Sequence, residues 1–89
     1  MKLIRANDGK HKYTAEFNDG KRVSFGAVGY DDYTITHDKE QRARYIKRHS
    51  AHENFNDPKT AGALSRWILW GDSTSILANK RAYENKFNV

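Results

Sequence analysis

Between His37 and His52, five cations (Lys39, Arg42, Arg44, Lys47 and Arg48) stand against two carboxylates, Asp38 and Glu40. This stretch alone therefore carries +3 of the chain's formal charge of +5. At helical spacing Arg44, Lys47 and Arg48 share a face, as do Lys39 and Arg42, with Tyr45, His49 and His52 available for stacking or hydrogen bonding. Such a ridge neutralises phosphates without reading bases, and its binding weakens as salt rises. The candidate nucleic-acid-binding set is Lys39, Arg42, Arg44, Lys47, Arg48 and His49. The competing reading is a solvated helix face, because basic faces are common and charge alone is a weak guide to a partner.

Other chemistry has less support. His49 and His52 with Glu53, and His37 as a third nitrogen donor, could ligate a metal, and a hairpin, a helix and histidines form the ground plan of a ββα metal-dependent nuclease, with Asn54 or Asn56 to hand. The i, i+3 spacing is undistinguished, however, and a long loop separates hairpin from helix, so surface or capping histidines are preferred and no metal site is assigned. There is no cysteine, and no serine lies in the Gly-flanked elbow that exposes a reactive hydroxyl. Asp31 and Asp32 fall in a turn, where carboxylates cap backbone N–H groups more often than they act as acid and base. Gly26-x-x-Gly29 follows a strand rather than joining two helices, unlike a nucleic-acid backbone clamp. The expectation is a non-enzymatic binding protein with no cofactor and no small-molecule substrate.

The elements that must position the ridge can be read outward from two copies of Asn-Asp-Gly-Lys, at 7–10 and 18–21. Asp-Gly between extended segments marks a hairpin, and two of them predict a three-stranded antiparallel meander. A three-residue loop with Gly20 in the left-handed position pairs Ala15 with Val23 and Tyr13 with Phe25. The same rule at Gly9 pairs Leu3 with Tyr13 and Met1 with Ala15. Both registers give one apolar face of Met1, Leu3, Tyr13, Ala15, Val23 and Phe25, and a polar, net basic face of Lys2, Ile4, Lys12, Thr14, Glu16, Arg22 and Ser24. Residues 26–33 read as a loop.

A helix is predicted from the Asp38 cap, with Gln41 at the reciprocal capping-box position, to Ser50 or His52. Its buried side is thin: Ala43, Ile46 and Tyr45. Asp57 as cap and Pro58 in the first helical position predict a second helix, ended by Gly71. Ala61, Leu64, Trp67 and Ile68 recur at helical spacing along it, flanked by Leu69 and Trp70, which makes it the central core helix with Trp67 as core. If Trp70 or Phe55 is exposed, a protein-partner surface gains weight. A third helix runs through Ile76, Leu77, Tyr83 and Phe87 and packs on the other side of the second. The fold class is thus α+β: a three-stranded β-meander packed against about three helices, with a Trp-bearing helix at the centre.

Eighty-nine residues suffice for one core, so a single domain over residues 1–89 is expected, and two Trp, five Tyr and four Phe supply the bulk for it. The absence of cysteine suits a reducing compartment. No apolar run resembles a signal peptide or a membrane span, so a soluble protein without a membrane partner is expected. The positive charge favours an anionic partner, nucleic acid or an acidic protein surface.

One larger pattern joins these segments. Val23-Ser24-Phe25-Gly26, Gly29-Tyr30 with Asp32-Tyr33-Thr34, Arg44-Tyr45-Ile46 with Arg48-His49, Asn56-Asp57-Pro58 with Thr60-Ala61-Gly62, and Ser65-Arg66-Trp67 with Leu69-Trp70 together cover about half the chain. Over Val23 to Trp70 the sequence resembles a small domain family of unassigned function encoded mainly by large nucleocytoplasmic DNA viruses of algae and amoebae. The resemblance implies a viral source and a setting in the host cytoplasm or nucleus, or packaging in the virion. It transfers no activity or catalytic residues. With the basic ridge it makes viral DNA, bound with little sequence preference, the leading partner. The alternative is a minor virion or capsid-associated structural protein on acidic protein surfaces, followed by a regulator of a host protein.

Overall fold

In a computed structural model, which describes residues 1–89, the chain begins with an antiparallel sheet in the order β1-β2-β3, formed by Lys2–Arg5, His11–Glu16 and Arg22–Ala27. Helices α1 (Tyr33–Thr36), α2 (Lys39–Ser50), α3 (Ala61–Leu64) and α4 (Ile76–Phe87) follow, with a π-helical turn over Ser65–Leu69 continuing α3. The architecture is α+β. No helix is long and apolar enough to cross a membrane.

The second hairpin has the expected form. Gly20 takes φ +90°, the Phe17 N–H donates to the Lys21 carbonyl, and Tyr13 pairs with Phe25 and Ala15 with Val23. The first hairpin does not repeat it. Leu3 pairs with Ala15 and Arg5 with Tyr13, two residues from the expected register, because Asp8 accepts from the amides of both Lys10 and His11 and so builds a wider loop. A shift of two preserves the face. Met1, Leu3, Tyr13, Ala15, Val23 and Phe25 therefore all still join the core, and Thr14 and Ser24 bond across the opposite face.

Three helical expectations are corrected. The loop at 26–33 ends in α1, whose first turn is capped by the Asp32 carboxylate accepting from the Thr34 amide. Gln41 does not close a capping box on Asp38; its side-chain oxygen accepts from the Thr36 hydroxyl, while Asp38 takes the Glu40 and Gln41 amides. The Trp-bearing helix starts at Ala61 with Thr60 as its cap, since Asp57 spends its carboxylate on the Lys59 amide and its carbonyl on the Thr60 hydroxyl, leaving Pro58 in the preceding turn.

The π-helical turn also reverses the roles of the two tryptophans. The Trp70 N–H donates to the Ser65 carbonyl, five residues back, and one extra residue rotates every later side chain by about 100° around the axis. Trp70 thereby enters the core with Leu64, Ile68 and Leu69, while Trp67 is left half-buried with its indole N–H on the Phe55 carbonyl and the charged ends of Arg66 and Lys86 against its ring. Ala61 is exposed. Helix α4 packs on this turn, adding Tyr83 to the core, whereas Leu77 faces solvent.

Gly71 ends the segment as expected, and a close approach explains why. Asn79, 3% exposed, donates to the Ile68 and Ser73 carbonyls and accepts from the Ser73 amide. A Cβ on Gly71 would lie 2.3 Å from the Trp67 carbonyl oxygen and 2.7 Å from the Asn79 side chain. Backbone cannot give way as a flexible side chain can. Gly71→Ala is therefore expected to destabilise the fold by about 2–3 kcal/mol, read as a lower denaturant midpoint with an unchanged m-value.

Candidate nucleic-acid interface

Helix α2 is an unusual element: none of its residues is fully buried, and it is held at a few points only. Tyr45 lies flat on Trp70, with ring centroids 4.3 Å apart and planes 7° from parallel, and His49 stacks on Tyr45 at 4.1 Å. One helical turn earlier, the Arg42 Nε donates to the Trp70 and Gly71 carbonyls and its guanidinium pairs with Asp72 at 2.8 Å. The spacing i, i+3, i+7 puts Arg42, Tyr45 and His49 on one stripe. Ala43, expected on the buried side, is exposed, and Ile46 is half-buried.

The candidate residues thus divide. Arg42 is a structural anchor rather than part of a ridge. His49 belongs to the ring column, with its Nδ1 3.5 Å from a Glu53 carboxylate oxygen. Lys39, Arg44, Lys47 and Arg48 are exposed and form no ion pair. Arg44, Lys47 and Arg48 keep the shared face that their spacing predicts.

Arg44 and Arg48 also line a half-open cleft of about 780 Å³ between α2, the end of β3 with its following loop, and α3. Tyr45, His49 and Trp70 contribute its aromatic wall, and Tyr30 stands at its edge with 74% of its surface exposed. Across the cleft the Lys12 ammonium donates to the Tyr30 carbonyl at 2.5 Å and to the buried Asp32 carboxylate at 2.7 Å, which fixes the loop to the sheet. Sequence reasoning missed Tyr30 and Lys12, whereas Glu53, grouped with His49 and His52 by its spacing, does lie beside His49. The signal for Tyr30 was Gly29, whose φ of +89° turns the chain just before it.

The electrostatics follow from this packing. Burial, with the Glu53 carboxylate second, pushes the Tyr45 hydroxyl up to about 12. Burial, with Arg42 second, lowers Arg66; its guanidinium joins Arg42 on the Trp70 carbonyl. The histidines do not gather: His37 ends α1 in the left-handed region, at the far end of α2 from His49 and His52, and no three of His, Asp or Glu come together at metal-binding spacing.

Fold and surface together define a small α+β domain whose one loosely seated helix carries an unpaired basic face beside a cleft. By sequence it belongs to a family of unknown function, DUF5754, whose profile matches residues 1–49, the sheet, α1 and nearly all of α2. The Trp-bearing segment, part of the residue pattern described above, lies outside the matched range. No curated protein and no solved structure matches the chain.

Two outcomes check this account. Arg42→Ala should cost about 1–3 kcal/mol of stability by stripping charged donors from the Trp70 and Gly71 carbonyls, whereas Arg48→Ala should stay within about 0.5 kcal/mol; chemical denaturation compares them. For Tyr45, the raised value means that above pH 10 the unfolded chain has lost a proton that the folded chain keeps. Stability is thus intact below pH 10 and falls as pH rises towards 12. Tyr45→Phe keeps the ring and should flatten that alkaline decline in pH-dependent unfolding.

Proposed function

We propose that this domain is a non-enzymatic binding protein that contacts nucleic acid through α2, by phosphate neutralisation with little sequence preference. The observation that carries this reading is that Arg44, Lys47 and Arg48 share one face, are exposed and have no carboxylate partner in the molecule. A cation already paired must break that pair to reach a phosphate, and these three need not. Few core contacts bind α2 to the rest, so its outer face remains available. Viral DNA is the proposed partner, because the residue pattern over Val23 to Trp70 resembles that of a domain family encoded mainly by large DNA viruses.

The test is fluorescence anisotropy with labelled DNA between about 50 and 300 mM salt. Three neutralised phosphates predict a log–log slope of about −2.7 and hence about a 100-fold loss of affinity across that range. Arg44→Ala/Lys47→Ala/Arg48→Ala should abolish binding with the fold intact. Absence of binding at the lowest salt would overturn the proposal and turn attention to an acidic protein surface of a virion or host partner.

A further inference from the structure

The cleft beside α2 has features that a merely solvated basic helix would not need. Tyr30 leaves 74% of its surface in water, yet its backbone is held firmly: its N–H donates to the Ala27 carbonyl and its carbonyl accepts from Lys12, itself tied to buried Asp32. The loop thus presents an aromatic ring on a fixed backbone. The ring column that starts at Trp70 and runs through Tyr45 of α2 ends at His49, whose side chain is one-third exposed in the same cleft. Arg44 and Arg48, both unpaired, stand one turn apart beside it. An isolated exposed tyrosine needs no explanation. Two accessible rings from different elements with two unpaired guanidiniums in one concavity form the combination that grips a nucleotide strand, π-faces for bases and cations for backbone.

Resting on the proposed nucleic-acid contact, we infer that the preferred partner is single-stranded, with an unstacked base entering the cleft against Tyr30 or His49 and its phosphates on Arg44 and Arg48. Duplex bases keep both faces covered by their neighbours and are reached only by extrusion, whereas a single strand offers them freely. The cleft's acidic groups set the polarity. Asp32 is neutralised by Lys12 and Glu53 lies 3.5 Å from His49 on the α2 side, which leaves Asp31, on the loop with Tyr30, as the carboxylate facing the cavity away from the arginines. Phosphates are therefore confined to the arginine side, while base edges, which carry N–H donors that carboxylates accept, take the other.

Tyr30→Ala tests this, because the side chain makes no hydrogen bond and its removal should leave the fold unchanged by circular dichroism. Anisotropy at low salt would compare a mixed-sequence strand of about 12 nucleotides, inside the span of single-strand site sizes, with its own duplex. The strand should bind at least about fivefold tighter, and Tyr30→Ala should weaken the strand about 5- to 100-fold while barely changing the duplex. If strand and duplex bind alike, or Tyr30→Ala leaves the strand unchanged, the inference is overturned. Phosphate contact by α2 then still stands, provided the triple variant loses both ligands. If neither ligand binds, both readings fall together.

Discussion

The widened turn over Ser65–Leu69 lets the Trp70 amide bond to the Ser65 carbonyl, and the whole basic side of the molecule depends on where that leaves Trp70. Its ring enters the core and offers one face to Tyr45. Its carbonyl, released from regular helical bonding, accepts from both Arg42 and Arg66. One residue therefore provides an apolar seat and a polar latch for α2, a helix with no fully buried residue of its own. An α-helical continuation in place of the π turn would rotate Trp70 by about 100° and leave Tyr45 and Arg42 without partners.

What could be read from sequence follows the range of the interactions involved. The second hairpin was legible because Gly20, Asn18 and the alternation of Tyr13, Ala15, Val23 and Phe25 lie within thirteen residues and agree. The first hairpin broke the same rule because Asp8 captured two amides, a side-chain choice that an identical Asn-Asp-Gly-Lys motif does not reveal. The Asp38 and Ser75 ends of the longer helices obey local capping chemistry. The order of Trp67 and Trp70 was not legible, because hydrophobic periodicity assumes a uniform 3.6-residue turn. The apolar face of the sheet survived its register error because only an odd shift moves side chains across a sheet.

The candidate site shows the same division. Arg44, Lys47 and Arg48 were legible as a face because helical spacing suffices to group them. Arg42 was not separable from them, because its partners are backbone carbonyls 28 and 29 residues further along, which carry no sequence signal. The cleft itself is a tertiary object, assembled from α2, the β3–α1 loop and α3. Its sequence trace is a glycine followed by a tyrosine, a common pair.

Position on the helix separates cations that the helix needs from those it does not. Lys47, Arg48 and His49 occupy the last turn of α2, where positive charge is favoured by the helix dipole, so their presence has a structural reason independent of any ligand. Arg44 has none. It sits mid-helix, one turn from the like-charged Arg48, an arrangement that costs an isolated helix a few tenths of a kcal/mol, and Glu40, one turn before it, forms no ion pair with it. Lys39, in the first turn, is also at the less favourable end of the dipole, but it lies outside the cleft. Arg44 alone combines three properties: no stabilising role in the fold, no partner, and a place on the cleft wall. A charge that the fold does not use is the residue on which a reading as a binding surface most depends.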